Sequence, residues 1–118
     1  MQTQSLSLTH LIRPPQGESS AKPPMLLLLH GIGSHERDLF ELAPYFDDRF
    51  CIVSARAPLT LGPNSFAWFH VEFTPTGPVI NPAEAENSRQ LLLRFLSELV
   101  EAYGVDPQQV YLCGFSQG

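Results

Sequence analysis

Apolar positions along the chain fall into short continuous runs and one long helical stripe. Leu6 to Ile12 alternates apolar and polar residues, which predicts an outer antiparallel strand with one wet face, ended by Pro14, Pro15 and Gly17. A polar, proline-bounded loop over 16–24 leads into Met25 to Leu29, an unbroken apolar run that predicts a strand buried on both faces. Glu36 to Phe46 places Leu39, Leu42, Ala43 and Phe46 on one helical face, with Pro44 inside. A mid-helix proline removes a hydrogen bond and clashes with the preceding turn, at about 3 kcal/mol, so a kink or early end is expected. Phe50 to Ala55 is a second buried strand. Pro58 to Asn81 reads as irregular, with an aromatic cluster at Phe66, Trp68 and Phe69. Within it, the alternation from Ala67 to Phe73, the Thr74 to Pro78 turn and Val79-Ile80 predict one small hairpin beside the main sheet. Asn81-Pro82-Ala83-Glu84 is a helix start: a cap, proline at the first helical position, and glutamate three residues after the cap. That helix runs to Tyr103 with a stripe of Leu92, Phe95, Leu96, Leu99 and Tyr103, and Gly104 closes it. Asp106-Pro107 turns the chain into Gln109 to Gly114, a third buried strand. From Met25 onward strand and helix alternate. The fold class is α/β, a mostly parallel sheet with flanking helices on both faces.

Composition narrows the partners. The 118 residues suit one domain, and 43% hydrophobic content suffices for its core. A net charge of −5 opposes nucleic-acid binding, which needs a basic stripe, and provides no polybasic membrane anchor. Met1 to Thr9 has neither a basic nor an apolar leader segment. The reading is a soluble, cytoplasmic protein. Cys51 and Cys113 sit far apart in apolar runs without C-x-x-C spacing, as reduced core cysteines do.

Two strand ends carry the chemistry. Gly114-Phe115-Ser116-Gln117-Gly118 is G-x-S-x-G directly after a predicted strand. In that setting the turn is so tight that the serine is strained and its hydroxyl stands exposed at the carboxyl edge of the sheet. Gly114 and Gly118 are expected where strand and departing helix crowd. The backbone N–H after the serine points at the same spot. His30-Gly31-Ile32-Gly33 follows Met25–Leu29 at the same edge of the sheet. Backbone N–H groups of Ile32 and Gln117 are therefore placed to converge on one oxyanion. The loop is a weak phosphate cradle, since the third glycine and a Walker lysine are absent. The bland alternative is a tight turn and a serine that happens to lie near a strand end.

These residues together resemble the first half of an α/β-hydrolase, and more narrowly the carboxylesterase/phospholipase family that includes the acyl-protein thioesterases. The likeness rests on Leu29-His30-Gly31-Ile32-Gly33, Ala57-Pro58, Trp68-Phe69, Asp106-Pro107 and Gly114-Phe115-Ser116-Gln117-Gly118. It implies Ser116 as nucleophile, Ile32 and Gln117 as oxyanion-hole amides, and His30, Gly31, Gly33, Gly114 and Gly118 as supporting positions. Trp68 would lie near the acyl pocket or in the core. No metal or cofactor is implied. The implied reaction is hydrolysis of a carboxylic ester or thioester on a small molecule or an acylated protein.

In this family the acid and base follow the nucleophile, whereas only two residues follow Ser116 here. The expectation is a single incomplete domain over 1–118, nearly inactive alone and poorly soluble because the Ser116 strand keeps an unpaired edge. His10, His30, His35 and His70 are each read as structural or solvated rather than as the base. His35 with Glu36 and Asp38 is read as a solvated helix start rather than a metal site. Competing readings are an inactive remnant or binding domain, and, among enzymes, a lipase or acyltransferase.

Overall fold

Leucines dominate one buried run and β-branched residues the next, and these two runs form the middle of the sheet. The computed structural model describes residues 3–17 and 21–118. Residues 18–20 of the expected 16–24 loop lie outside that set. The main sheet contains β1 (His10–Arg13), β2 (Met25–Leu29), β3 (Cys51–Ala55) and β8 (Val110–Gly114) in the order β1-β3-β2-β8. β1 runs antiparallel to β3. β2 is parallel to both neighbours, with Met25 opposite Cys51 and Val110, and Leu29 opposite Ala55 and Gly114. This is the amino-terminal part of an α/β-hydrolase fold, with a mixed, mostly parallel sheet and helices on its two faces.

Strand alternation divides the core in two. Met25, Leu27, Leu29, Cys51, Val53 and Ala55 face α1 (Pro82–Tyr103), from which Phe95, Leu99 and Tyr103 descend. Leu26, Leu28 and Ile52 face the other way, onto Ala43, Leu39 and Phe46. Phe95 and Leu99 are fully buried, and each contributes about 2 kcal/mol by leaving water. The α1 boundaries are those the sequence predicts. Asn81 Oδ1 accepts from Glu84 N–H at 3.2 Å, and Gly104 ends the helix at φ 65°. The Glu84 carboxylate does not return to the cap. It accepts from the His70 N–H at 2.9 Å and the His70 ring at 2.8 Å, closing the base of a hairpin.

Four expectations are corrected. The first strand is His10–Arg13, not Leu6 to Ile12, because the Glu98 carboxylate accepts from both the Ser7 N–H and hydroxyl and bends the chain out of the sheet before Leu8 enters the core. The helix expected over 36–46 is a 3-10 helix, Leu39–Tyr45, with Leu42 exposed. Pro44 has no N–H for an α register, and Glu36 lies outside the helix altogether. The stretch from Pro58 to Asn81 is two hairpins rather than one in irregular chain. β4 (Leu59–Gly62) pairs with β5 (Ser65–Ala67), and β6 (Val71–Thr74) with β7 (Gly77–Ile80). The third strand, β8, expected buried with one unpaired edge, does lie at the sheet edge, pairing among the described residues with β2 alone, but its Tyr111 and Leu112 are half exposed rather than buried.

Candidate functional site

β2 and β8 are parallel neighbours in register, so the loops that leave their carboxyl ends lie side by side. Phe115 N–H donates to Leu29 O at 3.1 Å, and Gly118 N–H closes back on Phe115 O at 3.0 Å. Between these bonds Ser116 adopts φ 56°. Left-handed backbone at a residue with a Cβ stores of order 1 kcal/mol of strain and persists only where the surroundings enforce it.

The glycines show how it is enforced. A Cβ on Gly118 would stand 2.0 Å from Leu29 O and 2.7 Å from His30 O. One on Gly114 would stand 2.4 Å from the Gly118 carbonyl carbon. Crowding at Gly118 therefore comes from the backbone leaving β2, and crowding at Gly114 from the turn itself. Gly31 is tight rather than forbidden, with Phe115 O at 3.2 Å and the Ser116 Cβ at 3.3 Å from a built Cβ. The two loops are thus in van der Waals contact.

Ser116 opens onto a shallow cleft of about 440 Å³ lined by Gly31 to His35, Asp38 and Phe115. Among the described residues, neither the Ile32 nor the Gln117 backbone N–H meets a protein acceptor. A larger cavity, about 720 Å³, opens among Pro24, Phe50, Asp106 and Gln109 at the opposite, amino ends of the strands. Ligands of open α/β sheets bind beyond the carboxyl ends, which makes the smaller cleft the candidate site.

Each histidine has partners. His30 is fully buried. Its Nδ1 is 2.7 Å from Gly31 O, and its Nε2 accepts from Ala57 N–H at 3.0 Å. Burial is the main cause lowering its pKa, which keeps the ring neutral. His10 lies between Leu8 O and the Tyr103 hydroxyl. His70 is paired to Glu84, and His35 Nδ1 accepts from Arg37 N–H at 3.1 Å. The acidic neighbours of His35 are also engaged. Glu36 is buried, and its carboxylate takes two hydrogen bonds from Arg56, at 2.9 and 2.7 Å, which hold its pKa down at about 2. Asp38 accepts from the Ser34 hydroxyl at 2.7 Å. Glu36 therefore leaves the solvated helix start expected for it and anchors the loop after β2 from below. Among the described residues no three His, Cys, Asp or Glu side chains converge as metal ligands.

Trp68 is 5% exposed and packs on the core, outside the lining of the Ser116 cleft. Its Nε1–H donates to His30 O at 2.9 Å. The β4–β5 hairpin reaches the same loop through Gly33 N–H to Phe66 O at 2.8 Å and Phe66 N–H to Ser34 O at 2.9 Å. Sequence reasoning missed this support. The aromatic cluster at 66–69 was its only signal. Cys51 is buried with its thiol raised to about 11 by desolvation, and Cys113 is half-buried.

No protein-family model matches the chain, and no curated protein matches it. Solved structures do. A carboxylesterase from Mesorhizobium loti aligns over 98% of the chain with a TM-score of 0.80 at 23% identity, a likeness of fold. A Bacillus cereus carboxylesterase aligns over 94% at 27% identity, TM-score 0.75, and esterase PE8 over 93% at 31% identity, TM-score 0.74. The matches cover 52%, 49% and 53% of those proteins, so the chain spans about half their length. Over nearly its whole extent the chain is similar to the amino-terminal half of the carboxylesterase/phospholipase group of α/β-hydrolases.

Proposed function

We propose that this chain is the nucleophile-bearing part of a serine hydrolase acting on carboxylic esters or thioesters. The observation that carries the reading is Ser116 in left-handed backbone, exposed, and pressed against the glycine loop that follows β2. These features support reading the turn as a nucleophile elbow, in which the strained turn presents a hydroxyl clear of the sheet. Ser116 Oγ adds to the substrate carbonyl carbon and gives up its proton to a base. The tetrahedral oxyanion is held by the free N–H groups of Ile32 and Gln117. Collapse expels the alcohol or thiol, which takes the proton, and water then cleaves the acyl-serine.

His10, His30 and His70 are engaged outside the cleft, and His35, which lines it, has its Nδ1 taken by Arg37 N–H and makes, among the described residues, no hydrogen bond to Ser116. We assign the base and its orienting carboxylate to polypeptide that completes the domain in a longer protein, as the half-length match to carboxylesterases supports. Chain 1–118 is then one part of a single domain. A buried Cys51 and a half-buried Cys113, without C-x-x-C spacing, fit a reducing cytoplasmic setting. Among the described residues no helix is long and apolar enough to cross a membrane. Small-molecule esters and acylated proteins both suit an open, shallow cleft.

A fluorophosphonate probe tests the reading. The longer protein should label at Ser116 and hydrolyse a short p-nitrophenyl ester, and Ser116→Ala should do neither. Absence of labelling in a folded protein would favour a non-catalytic binding domain.

A further inference from the structure

The segment 66–69 touches both loops of the cleft. On one side Phe66 pairs with Gly33 and Ser34, and the Trp68 indole N–H donates to His30 O at 2.9 Å. On the other side it meets the side chain of Gln117. Gln117 Oε1 accepts from Trp68 N–H at 2.7 Å and from Phe69 N–H at 3.4 Å, and Gln117 Nε2–H donates to Phe69 O at 2.7 Å. Ser88 of α1 donates its hydroxyl to Trp68 O and ties the segment to the body of the domain. One short piece of chain thus registers the loop carrying the Ile32 N–H against the loop carrying the Gln117 N–H. The carboxamide uses its acceptor and one donor on the same dipeptide, so it has no freedom to rotate without losing bonds. Its own Cα, and with it the neighbouring N–H, is held at that distance.

We propose that Gln117 is a positioning residue: its side chain clamps Trp68-Phe69 and thereby aims its own backbone N–H, together with that of Ile32, at the carbonyl held by Ser116. This rests on reading Ser116 as the nucleophile. At neutral pH the amide fits both roles, whereas an ionised carboxylate lacks the donor for Phe69 O and an ammonium lacks the acceptor for the two N–H groups.

The test is kinetic, on the full-length protein, with each rate divided by the number of sites that fluorophosphonate titrates. That division removes misfolded protein from the comparison. Gln117→Met keeps the length of the side chain and removes its hydrogen bonds. Its kcat per titrated site should fall about 10–100-fold with KM within about threefold. This is less than the roughly 10²–10³ lost when an oxyanion donor is deleted outright, because the N–H remains but is misaimed. Gln117→Glu supplies a second readout. Its ionised form repels Phe69 O, while its protonated form offers one donor and one acceptor as the amide does. The ratio of its kcat to that of the wild type, taken at each pH, should therefore rise as pH falls through the pKa of the introduced carboxyl. Division by the wild type cancels the titration of the base.

A Gln117→Met rate per site within twofold of wild type, or a flat Gln117→Glu ratio, overturns the proposal. Where Gln117→Met fails to fold, the Gln117→Glu ratio decides alone. A folded wild type that does not label at Ser116 removes the nucleophile reading and this inference with it. Normal labelling with unaffected Gln117 variants removes only the inference.

Discussion

Ser116 sits at φ 56°, and that value makes a prediction that hydrolysis assays do not test. Replacing the serine by alanine and by glycine removes the hydroxyl in both cases but leaves a Cβ only in the first. For an L-residue the left-handed conformation costs about 1–2 kcal/mol, a cost glycine escapes. Glycine gives back about 0.4–1 kcal/mol through its freer unfolded chain. The Ser116 Cβ has no stabilising burial to lose, since it is exposed and only abuts Gly31. Ser116→Gly should therefore be more stable than Ser116→Ala by about 0.5–1 kcal/mol. In a protein of 150–250 residues that is about 1–4 °C in Tm. Urea denaturation of both variants, at matched m-values, measures the difference directly. Both should fail to label with fluorophosphonate. Equal stability, or alanine the more stable, would show that the turn relaxes and holds no strain, and the enforced-turn argument would fall with it.

Gly118→Ala would drive a Cβ to 2.0 Å from Leu29 O, a backbone atom, so the turn must open. The variant should lose about 1–3 kcal/mol and all labelling at Ser116, read by denaturation and probe gel. Glu36 has its pKa depressed from 4.5 to about 2 chiefly by its hydrogen bonds from Arg56. Its contribution to stability is complete above pH 4.5 and disappears as pH falls through about 2. A Glu36→Gln variant should be less stable at pH 7 and lose less than wild type on acidification between those limits; parallel acid titrations would refute this. Asn81→Ala deletes the bond to Glu84 N–H and should cost about 1 kcal/mol by urea denaturation.

The parts of the fold visible in the sequence were those whose causes are local. Met25–Leu29 is apolar without a break and Cys51–Ala55 is broken only by Ser54, and only a strand covered on both faces tolerates that. α1 carries its own cap, proline and terminal glycine, so both ends were readable. The β4–β5 hairpin was not. Its strands are three and four residues long, its register shifts between Thr60 and Gly62, and its anchor is Phe66 on Ser34, more than thirty positions away. No periodicity within Pro58 to Asn81 records such a contact. Glu36 misled for the same reason. An acidic residue beside a helix start reads as solvated until Arg56, at 4.4 Å over the Phe66 ring, arrives to bury it. At the candidate site, pattern and spacing singled out Ser116 and both glycine loops. The clamp from Gln117 to Trp68-Phe69 is a contact between distant segments, and only the folded chain displays it.

The pairing of β2 also bears on how the protein is made. Met25–Leu29 meets β3 soon after it leaves the ribosome, but its other partner, β8, is encoded about 85 residues further on. At about 5–20 residues per second, one side of the most apolar strand waits roughly 4–17 s for its neighbour. During that interval five consecutive apolar side chains border an open backbone edge, the kind of segment that chaperones bind and that aggregates when translation stalls. A pause placed between α1 and β8 should lower the soluble yield more than the same pause placed after Gly118.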